Sequence, residues 1–330
     1  MSFPRRRFLR GAAASLAAAA VPALVRSAGA QSWPNRPVRL VVGYPPGGGA
    51  DATARVVASR LSEMWPQQVV IENRAGAGGN IANEVGAHAA PDGYTILFSP
   101  SPIAVSRLLF PSLTYEPMMD FAPVSLVGTY PNLLVIAKSS PVQSLQEFIA
   151  NAKASPGKVT YASPGVGSIP HLTGELFKHM AKVNLTHVPY RGVAAGAMND
   201  LLAGRIDCMF NTTASLLQFH RSGQVRGLAV TTRERFAGAP EIPTVAESGV
   251  PGFNVISWYG LFAPAKTPRE IVEKIQKDTA LLLREPAIQA RFEPLGVEAA
   301  SSTPEELAGL MQAELELWGP IIKSANIKGE

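Results

Sequence analysis

Three glycine-rich stretches hold the groups best placed to do chemistry: residues 45–49 (PPGGG), 74–79 (RAGAGG) and 163–168 (SPGVGS). Each follows a run that reads as a strand and opens a run that reads as a helix. In an open α/β sheet such turns lie at the C-terminal strand ends, facing the crevice. Glycine lets backbone N–H groups approach a ligand, and a helix N-terminus adds a partial positive charge. The expected chemistry is anion binding by main-chain amides, with no Lys or Arg required. The residues expected to meet the anion are Tyr44, Pro45, Gly47 and Gly48, then Ala77 and Gly78, then Ser163, Gly165, Gly167 and Ser168.

Other side chains near these turns carry two readings. Asp51 stands in a first helical turn, where a carboxylate suits the helix dipole or can meet a ligand amine or hydroxyl. Asp207, at a strand end, poses the same choice. Ser99 and Ser101 follow a strand and can hydrogen-bond a ligand oxygen. Arg191 can pair with a carboxylate or reach solvent. His171 is expected to pack or bond near the cleft. Ser168 and His171 share a helix face at i, i+3, and an exported α/β hydrolase built on them is the rival reading. A nucleophile and base need a third, orienting group, and none is evident. No G-x-S-x-G elbow is present. The loops also lack Gly-Lys-Ser/Thr and the full G-x-G-x-x-G spacing, so nucleotide sites are not expected. With no HExxH and no Cys/His cluster, neither a metal nor a cofactor is expected. His88, His179, His187 and His220 are scattered and read as surface or supporting residues. The single cysteine, Cys208, rules out an intrachain disulfide and reads as a buried, inert thiol in a strand.

The elements that must position these turns alternate. Residues 37–43 read as a strand, and Ala54, Val57, Leu61 and Met64 mark one face of the helix that follows. A strand at 67–72, a helix at 80–90 and a strand at 94–98 complete a βαβαβ pattern, the sign of a doubly wound sheet. The scheme recurs with strands at 133–137, 159–162, 186–189, 205–210 and 225–230, and helices after 144, 168, 193 and 213. A long extended run, 253–262, leads to two amphipathic helices. Thr267-Pro268-x-Glu270 and Thr303-Pro304-x-Glu306 read as capping boxes opening them, as Ser144-x-x-Glu147 does earlier. The expectation is an α/β protein of two lobes, each a doubly wound sheet with helices on both faces. Lobe 1 spans about 31–135 plus 255–330, and lobe 2 about 136–254.

The chain has 330 residues, 46% hydrophobic and 17% charged, which suits a folded core. Its net charge of +5 comes from the first 30 residues, which hold Arg5, Arg6, Arg7, Arg10 and Arg26 and no acid. The rest carries 25 basic residues against 25 acidic ones, so general nucleic-acid binding is not expected. The arginine cluster, an Ala-rich apolar run and Ala28-Gly29-Ala30 read as a secretory signal peptide, cleaved after about Ala30. Arg5-Arg6-x-Phe8-Leu9-Arg10 has the order of a twin-arginine signal, with Pro4 at the usual Ser/Thr position. Gln31 in place of Cys argues against a lipoprotein anchor. The expected location is the periplasm.

Several longer stretches add to the loops. They are Trp33-Pro34 with Pro37-Val38-Arg39, Pro45-Pro46-Gly47-Gly48 with Asp51, and Glu72-Asn73-Arg74-x-Gly76-Ala77-Gly78-Gly79. Then come Pro91-Asp92-Gly93-Tyr94-Thr95, Tyr161-Ala162-Ser163-x-Gly165-x-Gly167-Ser168 with His171, and His187-Val188-Pro189-Tyr190-Arg191-Gly192. Asp200–Asp207 and Trp258–Pro264 complete them. In this order the chain resembles the extracytoplasmic solute receptors of the tripartite tricarboxylate transporter family, also called TctC or Bug proteins. The resemblance covers nearly all of 33–323. It implies a type II-like periplasmic binding protein, non-enzymatic and expected to be monomeric, that closes on a small organic carboxylate. It further implies a carboxylate held between the first two loops, partly through ordered water, contact from the third loop, and membrane permease subunits as partner. A ligand-presenting partner of a membrane sensor is the remaining alternative.

Overall fold

Residues 33–190 and 195–329 are described by a computed structural model; the leader at 1–30 and Arg191 lie outside the described residues. The β-branched runs become strands and the 3.6-period runs become helices. The first part comprises β1 (Val38–Val42), α1 (Gly49–Met64), β2 (Val69–Asn73), α2 (Asn80–Ala87), β3 (Thr95–Pro100), α3 (Ser106–Leu109) and β4 (Phe121–Ala137). The middle comprises α4 (Leu145–Ala154), β5 (Thr160–Ser163), α5 (Ile169–Ala181), β6 (Thr186–Pro189), α6 (Ala195–Leu202), β7 (Cys208–Thr212), α7 (Thr213–Arg221) and β8 (Val225–Val230). The last part comprises β9 (Ile256–Pro264), α8 (Arg269–Leu283), α9 (Pro286–Phe292), β10 (Glu298–Ala299) and α10 (Pro304–Ser324).

One strand belongs to two sheets. The first sheet runs β2-β1-β3-β9-β4, with β10 on the other side of β4. Its β1–β2 and β1–β3 pairs are parallel, and β9 is antiparallel to both neighbours. β4 pairs with β9 as far as Pro131 opposite Ile256. From Asn132 onward it pairs with β7 on one side and β8 on the other, and β7 leads through β5 to β6. The second passage between sheets follows β8. It is stitched to the first by Thr231 N–H to Asn132 O (3.0 Å), Asn132 N–H to Thr231 Oγ1 (3.0 Å) and Thr231 Oγ1 to Val255 O (2.8 Å).

Both sheets bury apolar side chains on both faces. In β4, Leu133 and Val135 join one core and Leu134 and Ile136 the other, as the two-residue period requires. In the first sheet α1, α8 and α9 cover one face, while Leu307 and Met311 of α10 cover the other. The end of α10 does not stay with the first sheet. Trp318, Ile321 and Ile322 pack into a core of the second sheet with Phe177 and Phe210. Cys208 is fully buried in that core, as expected, and burial pushes its thiol up.

Several local expectations need correction. The strand expected at 133–137 begins at Phe121, because β9 supplies partners even to Pro123 and Pro131; bulges beside Pro123 and Gly128 absorb the breaks. The strand expected at 205–210 lies at Cys208–Thr212. Of the three capping boxes only Thr303–Glu306 is reciprocal. Ser144 accepts from Glu147 N–H, but the Glu147 carboxylate reaches Gln143 N–H instead. At the remaining site Pro268 is the cap; Thr267 N–H turns back to Pro264 O, and Thr267 Oγ1 is buried without a partner. Thr303→Ala should therefore cost about 1 kcal/mol, the loss of a cap. Thr267→Val should be neutral or stabilising, because it removes an unpaired buried hydroxyl. Urea denaturation of both variants checks this; equal losses would contradict the assignment.

Candidate functional site

The first two glycine-rich turns are held together by one buried carboxylate. Asp51, in the first turn of α1, accepts from Gly47 N–H (2.9 Å) and Arg55 Nε (2.8 Å) on Oδ2, and from Asn73 Nδ2 (2.8 Å) on Oδ1. Asn73 ends β2 and also donates to Tyr44 O (2.9 Å). Burial works against the charge. The hydrogen bonds from Arg55, Gly47 and Asn73 outweigh it and hold the carboxyl below its ordinary value. Asp51 is 1% exposed, so it fastens the loops rather than facing the opening. Of its two expected roles, the structural one is realised.

The second loop follows a left-handed path. Ala77 (φ 47°), Gly78 (φ 65°) and Gly79 (φ 98°) succeed one another in the region that favours glycine. Such a path points successive N–H groups into one concavity, a ready anion cradle. Gly79 N–H bonds Gly76 O and Asn80 N–H bonds Ala77 O; among the described residues, the N–H groups of Ala77 and Gly78 have no backbone partner. Tyr44 Oη donates to Gly78 O (3.2 Å) from the first loop. At Gly43 a Cβ would sit 2.8 Å from Gly79 Cα, so the approach of the two chains requires glycine there. Residues 45–49 and 74–78 are exposed, and Gly48 caps α1 without any side chain over its first N–H groups.

The third loop rests on two imidazoles. Ser163 Oγ lies 2.7 Å from His187 Nε2, and Gly167 N–H donates to His171 Nδ1 (3.0 Å). The two rings stack, 3.8 Å apart and 11° from parallel, with Tyr161 4.8 Å from His187. Burial lowers His171 to about 4, with Lys178 adding to the effect. Burial also lowers His187 to about 3, helped by His171. Both are neutral near pH 7, so His171 Nδ1 is free to accept. Ser168 caps α5, accepting from His171 N–H (3.4 Å) and donating to Gly165 O (2.7 Å). Its hydroxyl and the His171 acceptor nitrogen are thus both engaged with the loop backbone. They do not form a nucleophile–base pair, and the hydrolase reading fails there.

Loops two and three approach each other across the end of α3. A Cβ on Gly78 would lie 3.7 Å from the Phe110 ring, and one on Gly167 3.1 Å from Leu109. Two grooves, each of about 310 Å³, lie elsewhere. One is lined by Arg36, Asp92 and Tyr94 and the other by Pro131, Arg233 and Asn254; neither reaches the loops.

Some expected contacts are not at this place. Asp207 precedes β7, and its Oδ2 accepts from Thr160 N–H (2.7 Å) and Oγ1 (2.8 Å) at the start of β5. The loop at Ser163 leaves the other end of β5, roughly 10 Å along the strand. Asp207 is therefore a strand fastener. Ser99 is buried and donates to Asn83 Oδ1 (3.1 Å), beneath the second loop. Ser101 is fully buried, its hydroxyl without a partner. Of the two readings open for His187, surface or supporting, the supporting one holds; Asn73 and Tyr259 were not singled out. Tyr259 Oη lies 3.6 Å from where a Gly49 Cβ would stand, at the start of α1. Asn73 sits within the Glu72-Asn73-Arg74 run, and that run was the one signal for it.

The neutral His171 has a consequence for pH. Its folded value lies below its unfolded one, so the folded state binds fewer protons between them. Stability is full above about 6.5 and falls as pH drops towards 4, by about 3 kcal/mol from this group. His171→Asn keeps an acceptor for Gly167 N–H and cannot charge. Unfolding free energies measured from pH 7 to 4 should fall less steeply in the variant; matching slopes would refute the assignment.

The comparisons with known proteins follow the same outline. The model of the tripartite tricarboxylate transporter family receptor matches residues 53–327. The UPF0065 protein in the tcbD-tcbE intergenic region of Pseudomonas sp. (strain P51) is 39% identical, over 96% of this chain and 94% of that protein. Among solved structures, R. palustris Rpa4515 with adipate is 37% identical with a TM-score of 0.82, covering 90% of this chain and 99% of that one. MatC (Rpa3494) from Rhodopseudomonas palustris with bound malate is 33% identical with a TM-score of 0.76, covering 88% and 99%. The chain belongs to the tripartite tricarboxylate transporter receptor family (TctC), whose members are solute-binding receptors and not enzymes.

Proposed function

We propose that this chain is a periplasmic receptor that captures a small organic carboxylate between two lobes and delivers it to the membrane permease subunits of a tripartite tricarboxylate transporter. The lobes are about 31–135 with 255–330, and about 136–254, and the protein works as a monomer. The observation that supports this best is the pair of exposed amide-lined turns, 45–49 and 74–78, fastened to each other by Asp51 and Asn73. Their N–H groups offer charge-dipole contacts that suit a carboxylate and leave the rest of the ligand to other walls. The third loop, across Leu109 and Phe110, is the contact from the other lobe in this reading, through its half-buried Gly165; Ser163 and Gly167 are buried and bonded to His187 and His171, and support that loop from beneath. Two similar structures, one with adipate and one with bound malate, make a dicarboxylate the first class to try.

Closure follows from differential affinity. A ligand that touches both lobes binds the closed form better and shifts the population towards it. The two stitched passages at Asn132 and Thr231 are the hinge in this reading.

A thermal-shift screen against mono-, di- and tricarboxylates tests the function. A ligand at a hundred times its Kd adds about 2.7 kcal/mol, a rise of several degrees in Tm. No shift with any acid would overturn the reading. With the cognate acid in hand, Gly78→Asp places a carboxylate in the cradle. It should weaken binding roughly tenfold or more, about 1.4 kcal/mol, with the protein still folded and its ligand-free Tm lowered by only a few degrees, since residue 78 sits at φ 65°. Undiminished affinity would move the anion elsewhere. For localisation, replacing Arg5 and Arg6 by Lys should abolish export by the twin-arginine route; a normal periplasmic yield would assign the general route instead.

A further inference from the structure

Beneath the second loop lies a chain of buried polar groups that the proposed function does not use. Ser99 Oγ donates to Asn83 Oδ1 (3.1 Å), and Asn83 Nδ2 donates to Tyr115 Oη (3.1 Å). Tyr115 Oη donates to Asn80 Oδ1 (2.5 Å), and Asn80 Nδ2 donates to Ala77 O (2.7 Å). Every donor points the same way, from β3 towards the loop. Ser99, Asn83, Tyr115 and Asn80 are each 5% exposed or less. The Tyr115 ring is itself fixed edge-on against Phe121 of β4 (5.8 Å, 78°).

We propose that Tyr115 is a positioning residue for the ligand: through Asn80 it holds the Ala77 carbonyl, and so aims the Ala77–Gly78 amides at the bound carboxylate. This rests on the receptor reading given above. Two physical effects combine. Ala77 is a non-glycine residue at positive φ, a conformation that persists only where its surroundings over-determine it. The Asn80 amide on its carbonyl is one such restraint, and Tyr115 keeps that amide from turning over. The peptide unit also links the ends: the Ala77 carbonyl belongs to the same peptide group as the Gly78 N–H. A head-to-tail hydrogen-bond chain ending on that carbonyl polarises the group and makes the N–H a stronger donor to an anion. Ser99 thus serves the site as the far end of this chain, without touching the ligand.

The test is a double-mutant cycle on carboxylate affinity in the full mature protein, using the acid with the largest thermal shift in the wild type. Tyr115→Phe removes one hydroxyl, and Asn80→Ala removes the link to Ala77. Each should weaken binding roughly five- to tenfold, and the double variant should bind no more weakly than Asn80→Ala alone, because coupled residues are non-additive. Amide hydrogen exchange at Gly79 and Asn80, whose N–H groups bond Gly76 O and Ala77 O, should quicken in ligand-free Tyr115→Phe while the strands keep their protection. Wild-type affinity in Tyr115→Phe, or losses that simply add, would overturn the proposal while leaving the receptor reading intact. A wild type that binds no carboxylate overturns both. Should Tyr115→Phe not fold, Asn80→Leu tests the same link: it keeps the size of the side chain without adding charge and loses the donor to Ala77, and the same loss is expected.

Discussion

The Asp51 carboxylate is the constraint on which the pairing of the first two glycine-rich turns depends. A buried charge costs several kcal/mol unless donors surround it. Here the donors come from three places: the first loop through Gly47, the α1 helix through Arg55, and the end of β2 through Asn73. Satisfying one charge therefore fixes the relation of two glycine-rich turns and a helix N-terminus. The Ala77 and Gly78 N–H groups, without a backbone partner among the described residues, remain in an exposed loop, and the proposed function gives them to a second carboxylate, that of a ligand. The protein places its own anion on the inner side of the loop and leaves the outer side open.

The second half supports its loop differently. Among the described residues no carboxylate bonds the Ser163–Ser168 loop directly; Glu175 stands behind it, 3.9 Å from His171 Nε2 and paired with Lys178. Two stacked imidazoles, neutral because they are buried, supply an acceptor for Gly167 N–H and a partner for Ser163. A neutral support adds no charge near an incoming carboxylate. The two halves thus fasten their glycine-rich loops by different chemistry, and the end of α3 with Phe110 lies between those loops.

β4 and α10 join the two sheets. β4 spends its first part in one sheet and its last part in the other, and α10 packs Leu307 into the first and Trp318 into the second. Glu314 sits at the join, its carboxylate taking both indole N–H groups, from Trp258 and Trp318; burial raises it to about 7. Connection through one strand, one helix and the Thr231–Val255 passage leaves few covalent restraints on relative movement of the halves.

The sequence by itself determined the alternating α/β pattern, most helices, the three turns and the family. Those signals are local: periodicity within a dozen residues, and glycine where a helix begins. The same local reading lost β4 before residue 133, since only a partner strand makes Pro123 and Pro131 acceptable in an extended run. It left Asp51 between a structural role and a ligand contact and offered Ser99 as a partner for a ligand oxygen, because a polar residue near a turn looks alike whether it faces out or in. It left His187 between a surface and a supporting role and did not find Tyr115, each of which meets its loop from a distant part of the chain. Which way a side chain points, and which remote donor it meets, is set by the packing of the sheets, and only the tertiary structure decided that.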